Sequence, residues 1–178
     1  MKSLQLNPQG KTSAFIHKET PSFKVLEVSE NSKGKVYLNS EKYKDKALII
    51  HFWASWCSSC STDSQILNEI YPSLKRDGTN LLAVAVSDDY ESASTQKKRL
   101  QKKFLVALDD SGDMALDFGI TGVPETFFIN KKGELIHRHT GPLSHEILAK
   151  YTESLKDISK NSNELLGLEK THSQAPTS

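Results

Sequence analysis

The chain has 178 residues, of which 37% are hydrophobic and 25% charged, and its formal net charge is +1 at pH 7. This length and composition are typical of one soluble domain with tails. The near-zero net charge excludes a bulk electrostatic attraction to nucleic acid or to a membrane surface. No run approaches the roughly 20 apolar residues that cross a bilayer, and the opening MKSLQLNPQGKTSAFIH is not a secretory signal as it stands.

The first part of the chain predicts an arm, a hairpin and a buried strand. Residues 1–20 are polar and predict a flexible N-terminal arm. FKVLEV (23–28) alternates, and VYL (36–38) follows a polar turn with Gly34, so these two segments predict a β-hairpin. ALIIHFW (47–53) is a continuous apolar run, which is typical of a strand covered on both faces.

After Cys57 the apolar period becomes helical. The predicted helix runs from about Cys57 toward Tyr71 or Leu74, and Pro72 is expected to bend or end it. The apolar positions at helical spacing are Ile66, Leu67, Ile70 and Leu74.

Strands and helices then alternate, and the chain finishes with a hairpin, a helix and a polar tail. The predicted strands are 80–87, 105–108, 125–130 and 134–140, and the predicted helices are 91–104, 113–118 and 144–158. This order predicts an α/β domain over residues 21–158, with a central mixed β-sheet flanked by helices. Residues 159–178 are polar and predict a disordered tail.

Both cysteines of the chain, Cys57 and Cys60, lie in HFWASWCSSC (51–60). A zinc site would need more ligands; the chain has no second cysteine pair, and His137 and His139 are distant in sequence. A structural disulfide across so short a loop restrains little entropy of the unfolded chain. A redox dithiol at a strand-to-helix junction is the favoured interpretation, with inert buried thiols as the other alternative.

The expected position of the pair explains how such a dithiol works. Cys57 opens the helix, where free N–H groups and the positive end of the helix dipole stabilise a thiolate. Cys60 lies one turn further in and is more buried, so its thiol is protected until the first sulfur has reacted. Cys57 is therefore the predicted attacking group, and Cys60 resolves the mixed disulfide.

These segments resemble a known family. ALIIHFWASWCSSC resembles the active-site strand and helix start of the thioredoxin superfamily, and GVPETFFINKKGELIHRHTGPL resembles its TlpA-like branch, which includes the ResA and CcmG-type reductases of cytochrome c maturation. The likeness covers residues 21–158. It implies a thioredoxin fold with an N-terminal β-hairpin and a central helix–strand insertion, which residues 98–120 would fill.

The resemblance also implies an activity, a location and partners. It implies a thiol–disulfide oxidoreductase that reduces disulfides of exported proteins, with apocytochrome c as the substrate by analogy. No cofactor beyond the Cys57–Cys60 disulfide and no metal is expected. The expected partners are protein disulfide or dithiol substrates and an upstream thiol electron donor, such as a membrane carrier. We expect a periplasmic or otherwise extracytoplasmic monomer whose export signal or anchor is absent from this sequence; a cytoplasmic location is the alternative.

Two further residues are predicted to take part in catalysis. Asp63 follows Cys60 by three helix positions, and its carboxylate is a candidate acceptor for the Cys60 proton. By the resemblance, ResA and CcmG-type proteins have Glu at this position. An early-helix acid that complements the dipole is the alternative. His51 stands where thioredoxins have a buried Asp and TlpA-like proteins often Asn. It is a second candidate acceptor or, alternatively, a core histidine with both nitrogens satisfied.

Four residues are predicted to bind substrate. Trp56 is expected to be a flat apolar neighbour of Cys57, whereas Trp53 continues the strand alternation into the core. The resemblance implies a cis bond between Val123 and Pro124, with the backbone of Val123 free to pair with an extended substrate strand. Glu125 is expected near the rim of the active site, with a solvated edge carboxylate as the alternative.

Two rival functions differ in whether the thiols turn over. A binding or chaperone module would use the same groove without turnover, but the intact pair Cys57 and Cys60 argues against it. A peroxide reductase would have a lone peroxidatic cysteine in a different setting. The dipeptide Ser58-Ser59 lacks the proline that many relatives carry, so the sequence assigns no reduction potential.

Overall fold

The computed structural model describes residues 18–29 and 34–155, and the statements below concern that part of the chain. Its β-strands are β1 (Lys24–Glu27), β2 (Tyr37–Asn39), β3 (Leu48–Trp53), β4 (Asn80–Ala85), β5 (Leu105–Leu108), β6 (Glu125–Ile129) and β7 (Leu135–Thr140). Its α-helices are α1 (Ser58–Arg76), α2 (Tyr90–Arg99), α3 (Asp113–Asp117) and α4 (His145–Glu153), and a 3-10 helix spans Ser40–Tyr43. Residues 1–17 of the predicted arm (1–20), the end of the predicted last helix (156–158) and the whole predicted tail (159–178) lie outside the described residues.

One mixed sheet of seven strands has the order β2-β1-β5-β4-β3-β6-β7. The parallel strands β3, β4 and β5 form its centre, and antiparallel strands complete it on both sides. Every residue of β3 is buried, as its continuous apolar sequence predicts for a strand covered on both faces. The mixed sheet flanked by helices confirms the predicted fold class.

The two faces of the sheet are covered by different helices. One cluster of buried residues joins α1, α2 and α4 to the sheet, and it contains Cys57, Cys60 and Trp53. The other cluster lies beneath α3 and the 3-10 helix and contains Phe52, Phe118 and Phe127. Because side chains alternate along a strand, neighbouring residues of β3 serve opposite faces. His51 and Trp53 therefore share the face that holds the cysteines.

Helix α1 is longer than its sequence predicts. It continues through Pro72 and ends at Arg76. Proline removes one backbone donor and disfavours the helical conformation of the preceding residue, but tertiary packing outweighs this local preference here. Leu67 and Leu74, on either side of Pro72, are both buried in the core cluster beneath the helix. The prediction that Pro72 ends the helix is wrong.

The N-terminal hairpin and the central insertion meet in the sheet. β1 pairs antiparallel with β2, as the alternating sequence predicts, and also with β5. Strand β5 comes from the inserted segment and forms a parallel pair with β4. Residues 18–20, assigned by sequence to the flexible arm, hydrogen bond to the β6–β7 turn: the Leu135 N–H donates to Lys18 O and the Thr20 N–H to Gly133 O.

The C-terminal hairpin has the turn that KKG predicts. β6 and β7 are antiparallel, and Gly133 has the left-handed φ of +79° that favours glycine. Helix α4 begins at His145 and is capped by Ser144. Helix α2 ends at Arg99, whereas the sequence predicted that this helix would end at residue 104. None of the helices in the described ranges is long and apolar enough to cross a membrane.

Candidate active site

The dithiol lies at the junction of β3 and α1. Cys57 is the N-cap of α1, and its Sγ accepts a hydrogen bond from the Cys60 N–H at 3.2 Å. Cys57 and Cys60 form a disulfide, so the structure represents the oxidised protein. Cys57 is 7% exposed and Cys60 is 1% exposed. The sulfur predicted to attack is therefore the one nearer the solvent, at the positive end of the helix dipole.

A loop after β4 holds the segment that precedes Cys57. Both the backbone N–H and the hydroxyl of Ser55 donate hydrogen bonds to the Asp88 carboxylate. The Trp56 indole N–H donates to Ser87 O at 3.1 Å, while 66% of the Trp56 surface remains exposed. Trp56 is thus a fixed and exposed apolar surface next to Cys57 in the chain. Sequence analysis missed Asp88, because nothing local in SDD shows that it meets Ser55.

Behind the dithiol, His51 of β3 faces Asp63 of α1. Both side chains are fully buried, with 3.8 Å between His51 Nε2 and Asp63 Oδ2. His51 Nδ1 lies 3.0 Å from the Thr126 hydroxyl, and Asp63 Oδ1 accepts the Leu143 N–H at 2.9 Å. The facing atoms, Nε2 and Oδ2, have no hydrogen-bond partner among the described residues. The two predicted acceptors are therefore adjacent, and each keeps one polar atom uncommitted.

Burial shifts the pKa values of this pair in opposite directions. Desolvation, helped by the charge of Lys102, lowers the pKa of His51 to about 3. Desolvation raises the pKa of Asp63, opposed by its hydrogen bond from Leu143 and by the charges of His139 and Lys102. His51 is consequently a neutral imidazole at neutral pH. The pKa of the Asp63 carboxyl group is higher than that of an exposed aspartate. The core histidine with both nitrogens satisfied, which the sequence left as an alternative, is not what the structure shows.

A buried lysine completes this group. Lys102 precedes β5, is 6% exposed, and places its Nζ 2.9 Å from the centroid of the Trp53 ring. Nζ has no hydrogen-bond acceptor within the described ranges. Burial lowers the pKa of Lys102 to about 6, although the charges of Asp88 and Asp63 act in the opposite direction. This lysine was not predicted to be buried, because KKRLQKK has the composition of a solvated helix surface.

The predicted groove residues Val123 and Pro124 precede β6. The bond between them is cis, as the resemblance implies. Val123 is partly buried and packs against the cluster that contains both cysteines, and Pro124 is buried. The Pro124 carbonyl accepts the Gly141 N–H at 2.9 Å, which ties this turn to β7.

Glu125 does not lie at a solvated rim. Its side chain is fully buried, because it shares the face of Phe52 and Phe127, which α3 covers. The carboxylate accepts hydrogen bonds from the Thr121 N–H and hydroxyl, each 3.1 Å long, and forms an ion pair with Arg138. The alternative of a solvated edge carboxylate is therefore wrong. Through its hydrogen bonds with Thr121, the buried Glu125 carboxylate fixes the loop before Pro124.

Arg138 of β7 is the partner that sequence analysis missed. Its Nε donates to Glu125 Oε2 at 2.8 Å, and its Nη2 donates to Gly119 O at 2.9 Å. The alternation of HRHT on the hairpin was the available signal, because Arg138 is paired with Phe127 in the β6–β7 ladder and shares its face with Glu125.

Comparison with known proteins agrees with this geometry. The family described as Redoxin matches residues 17–155. The thiol:disulfide interchange protein DsbE of Haemophilus influenzae is 30% identical over 161 residues, which cover 87% of this chain and 83% of that protein. The thiol-disulfide oxidoreductase ResA of Bacillus thuringiensis subsp. konkukian is 29% identical over 140 residues, which cover 79% of this chain and 78% of that protein.

Solved structures support the same fold. The crystal structure of a thiol:disulfide interchange protein of the thioredoxin family from Chlorobium tepidum superimposes with a TM-score of 0.69 at 20% identity. The alignment covers 79% of this chain and 97% of that one. This likeness establishes the thioredoxin fold, with Cys57 and Cys60 at the start of its first long helix.

Proposed function

We propose that this chain, which belongs to the Redoxin family and is a thiol–disulfide oxidoreductase, reduces disulfides of exported proteins through Cys57 and Cys60. The observation that supports this most directly is the disulfide at the N-terminus of α1, with one sulfur at the helix cap and the other beneath it. In the reduced protein, this position favours a thiolate on Cys57 near neutral pH.

The reaction consists of two thiol–disulfide exchanges. The Cys57 thiolate attacks a substrate disulfide, forms a bond to one sulfur, and expels the other as a thiolate. Cys60 then loses its proton and attacks the Cys57 sulfur, so the Cys57–Cys60 bond forms and the remaining substrate sulfur leaves as a thiolate that takes up a proton. The substrate gains two electrons and the protein loses two, which returns it to the oxidised form seen here.

Asp63 is the proposed acceptor of the Cys60 proton. It follows Cys60 by one helical turn on the same face of α1, and its free Oδ2 is aimed into the buried group that includes His51. An efficient base has a pKa near the working pH. Burial raises the pKa of Asp63 toward this range, whereas a His51 pKa of about 3 makes the imidazole too weak a base. His51 then fixes the surroundings of Asp63 through Thr126.

The partners, substrate and location are proposed from the family resemblance. The substrate is a protein disulfide of the cytochrome c maturation type, and electrons arrive from an upstream thiol donor such as a membrane carrier. The protein acts as a monomer outside the cytoplasm. Trp56 and the backbone of Val123 form the surface that receives the substrate chain, an assignment supported by the exposure of Trp56 and by the packing of Val123 against the cluster that contains both cysteines.

Turnover separates this function from a binding module on the same fold. We expect the protein to catalyse reduction of insulin disulfides by dithiothreitol, and the Cys57→Ser variant to be inactive. The Cys60→Ser variant should accumulate mixed disulfides with its substrates, seen by non-reducing electrophoresis and mass spectrometry. Peptide binding without any turnover, in protein with both thiols intact, would show that the chain is a binding module.

A further inference from the structure

Lys102 is a buried amine that the exchange reaction described above does not use. Transferring an ammonium group from water into a protein interior costs several kcal/mol unless a counter-charge and hydrogen bonds compensate it. Lys102 Nζ has neither a carboxylate within 4.0 Å nor a hydrogen-bond acceptor among the described residues, and it rests on the indole ring of Trp53. Such a group calls for an explanation beyond packing.

The surroundings of this amine are those of the proton acceptor. Lys102 Nζ lies over the ring of Trp53. Trp53 follows His51 by two positions on β3, so both side chains face the same side of the sheet. Asp63 approaches this side from α1. The charges of Lys102 and Asp63 act on each other, and that of Lys102 also acts on His51.

Charged and titratable groups from other elements also act on the pair. Asp88, in the loop after β4, acts on Lys102, and His139 of β7 acts on Asp63. Asp88 is already bound by both donors of Ser55, and His139 Nε2 lies 3.0 Å from Pro142 O. Both therefore have hydrogen-bond partners of their own, whereas Lys102 Nζ has none among the described residues, although the charge of His139 acts on Asp63 more strongly than that of Lys102.

We propose that Lys102 is a positioning residue for proton transfer, which acts through Asp63 by favouring its carboxylate form and so keeps Asp63 able to accept the proton of Cys60. This inference rests on the proposed role of Asp63. The cation–π contact with Trp53 holds the ammonium in place but leaves its charge, whereas a hydrogen-bonded carboxylate would neutralise that charge.

The proposal accounts for the proton at each step. Before resolution, Asp63 is a carboxylate and Lys102 carries the compensating proton in the acidic part of the working range. When Cys60 attacks, its proton moves to Asp63, and no proton enters from outside the buried group.

The test is the pH dependence of resolution in the Lys102→Met variant. Reaction of the reduced protein with 5,5′-dithiobis(2-nitrobenzoate) releases one thionitrobenzoate when Cys57 attacks and a second when Cys60 resolves, so stopped-flow absorbance separates the two steps. In Lys102→Met the first phase should be unchanged. The acidic limb of the second phase should move to higher pH, because Asp63 then holds its proton more tightly. A displacement of one pH unit corresponds to a resolving phase about tenfold slower at the acidic end of the profile.

Three further variants make the result specific. Lys102→Arg keeps the positive charge and should restore the wild-type limb. Lys103→Met removes an exposed neighbouring lysine and should leave both phases unchanged. In an Asp63→Asn background, the addition of Lys102→Met should have no further effect on the profile, because the residue through which Lys102 acts is gone.

The outcomes distinguish this inference from the proposed function. If the wild-type protein releases no second thionitrobenzoate, the dithiol mechanism itself is wrong. If it does, and Lys102→Met leaves the acidic limb in place while Asp63→Asn abolishes it, the role of Lys102 is refuted and the proposed function stands. A measurement on the unaltered protein covers the case in which variants fold poorly: in a carbon-13 NMR titration, Lys102 Cε should titrate well below the usual lysine range and Asp63 should respond in the same step. Separate midpoints for Lys102 Cε and the Asp63 carboxyl, with no response of either group to the titration of the other, would overturn the proposal.

Discussion

The ion pair between Arg138 and Glu125 should make a large contribution to stability, which an Arg138→Met substitution would reveal. The Glu125 side chain is fully buried and that of Arg138 is 9% exposed, so solvent screens their interaction little. Removal of the guanidinium leaves a buried carboxylate without its cation and frees the Gly119 carbonyl. Breaking a buried pair in this way costs about 3–5 kcal/mol, a large part of a typical free energy of unfolding.

Urea unfolding followed by circular dichroism measures this free energy. Arg99→Met is the matched control, because Arg99 lies on the exposed surface of α2, and its loss should change stability by no more than about 0.5 kcal/mol. The double variant Glu125→Met/Arg138→Met should be more stable than Arg138→Met, since no buried charge is left unpaired. A loss below about 1 kcal/mol in Arg138→Met would show that Glu125 is not held as a buried carboxylate and would refute this reasoning.

Three other properties of the site can be measured directly. In the reduced protein near neutral pH, iodoacetamide should modify Cys57 much faster than Cys60, as peptide mass spectrometry would show; equal rates would reverse the assigned roles. The free energy of unfolding should rise with pH between about 3 and 6.5, because unfolded His51 and His137 bind protons that the folded imidazoles, with pKa values of about 3 and about 4, do not. His51→Asn should reduce that slope while resolution keeps its acidic step; loss of the step would make His51 the acceptor. Trp56→Ala should slow attack on a protein substrate severalfold while stability changes by about 1 kcal/mol or less, since its indole is exposed and makes one hydrogen bond.

The fold and the dithiol were predictable because local signals carry them. The continuous apolar run of β3 and the change to helical spacing after Cys57 place the pair at a strand-to-helix junction. The extent of α1 was not predictable in this way, since burial of Leu74 after Pro72 depends on residues that approach from elsewhere in the chain.

The surroundings of the dithiol were predictable only in part. His51 and Asp63 were identified from their spacing to the cysteines, but their mutual approach depends on how α1 packs on β3. Glu125 was misplaced, because the direction of a side chain at the start of a strand follows from pairing register, which sequence does not specify here. The burial of Lys102 was not predicted for a related reason: among the seven residues of KKRLQKK, nothing local distinguishes the one lysine that is buried.

The contacts of Asp63 and His51 also bear on the order of events during folding. Asp63 is bound by the backbone of Leu143, 80 positions later in the chain, and His51 contacts Thr126, 75 positions later. Contacts between such distant residues require closure of long loops and generally form late. A chain that has emerged only as far as β5 already carries both thiols but lacks Thr126 and Leu143. The proposed proton transfer through Asp63 is therefore a property of the completed fold, because Asp63 and His51 gain these partners only when the C-terminal hairpin docks.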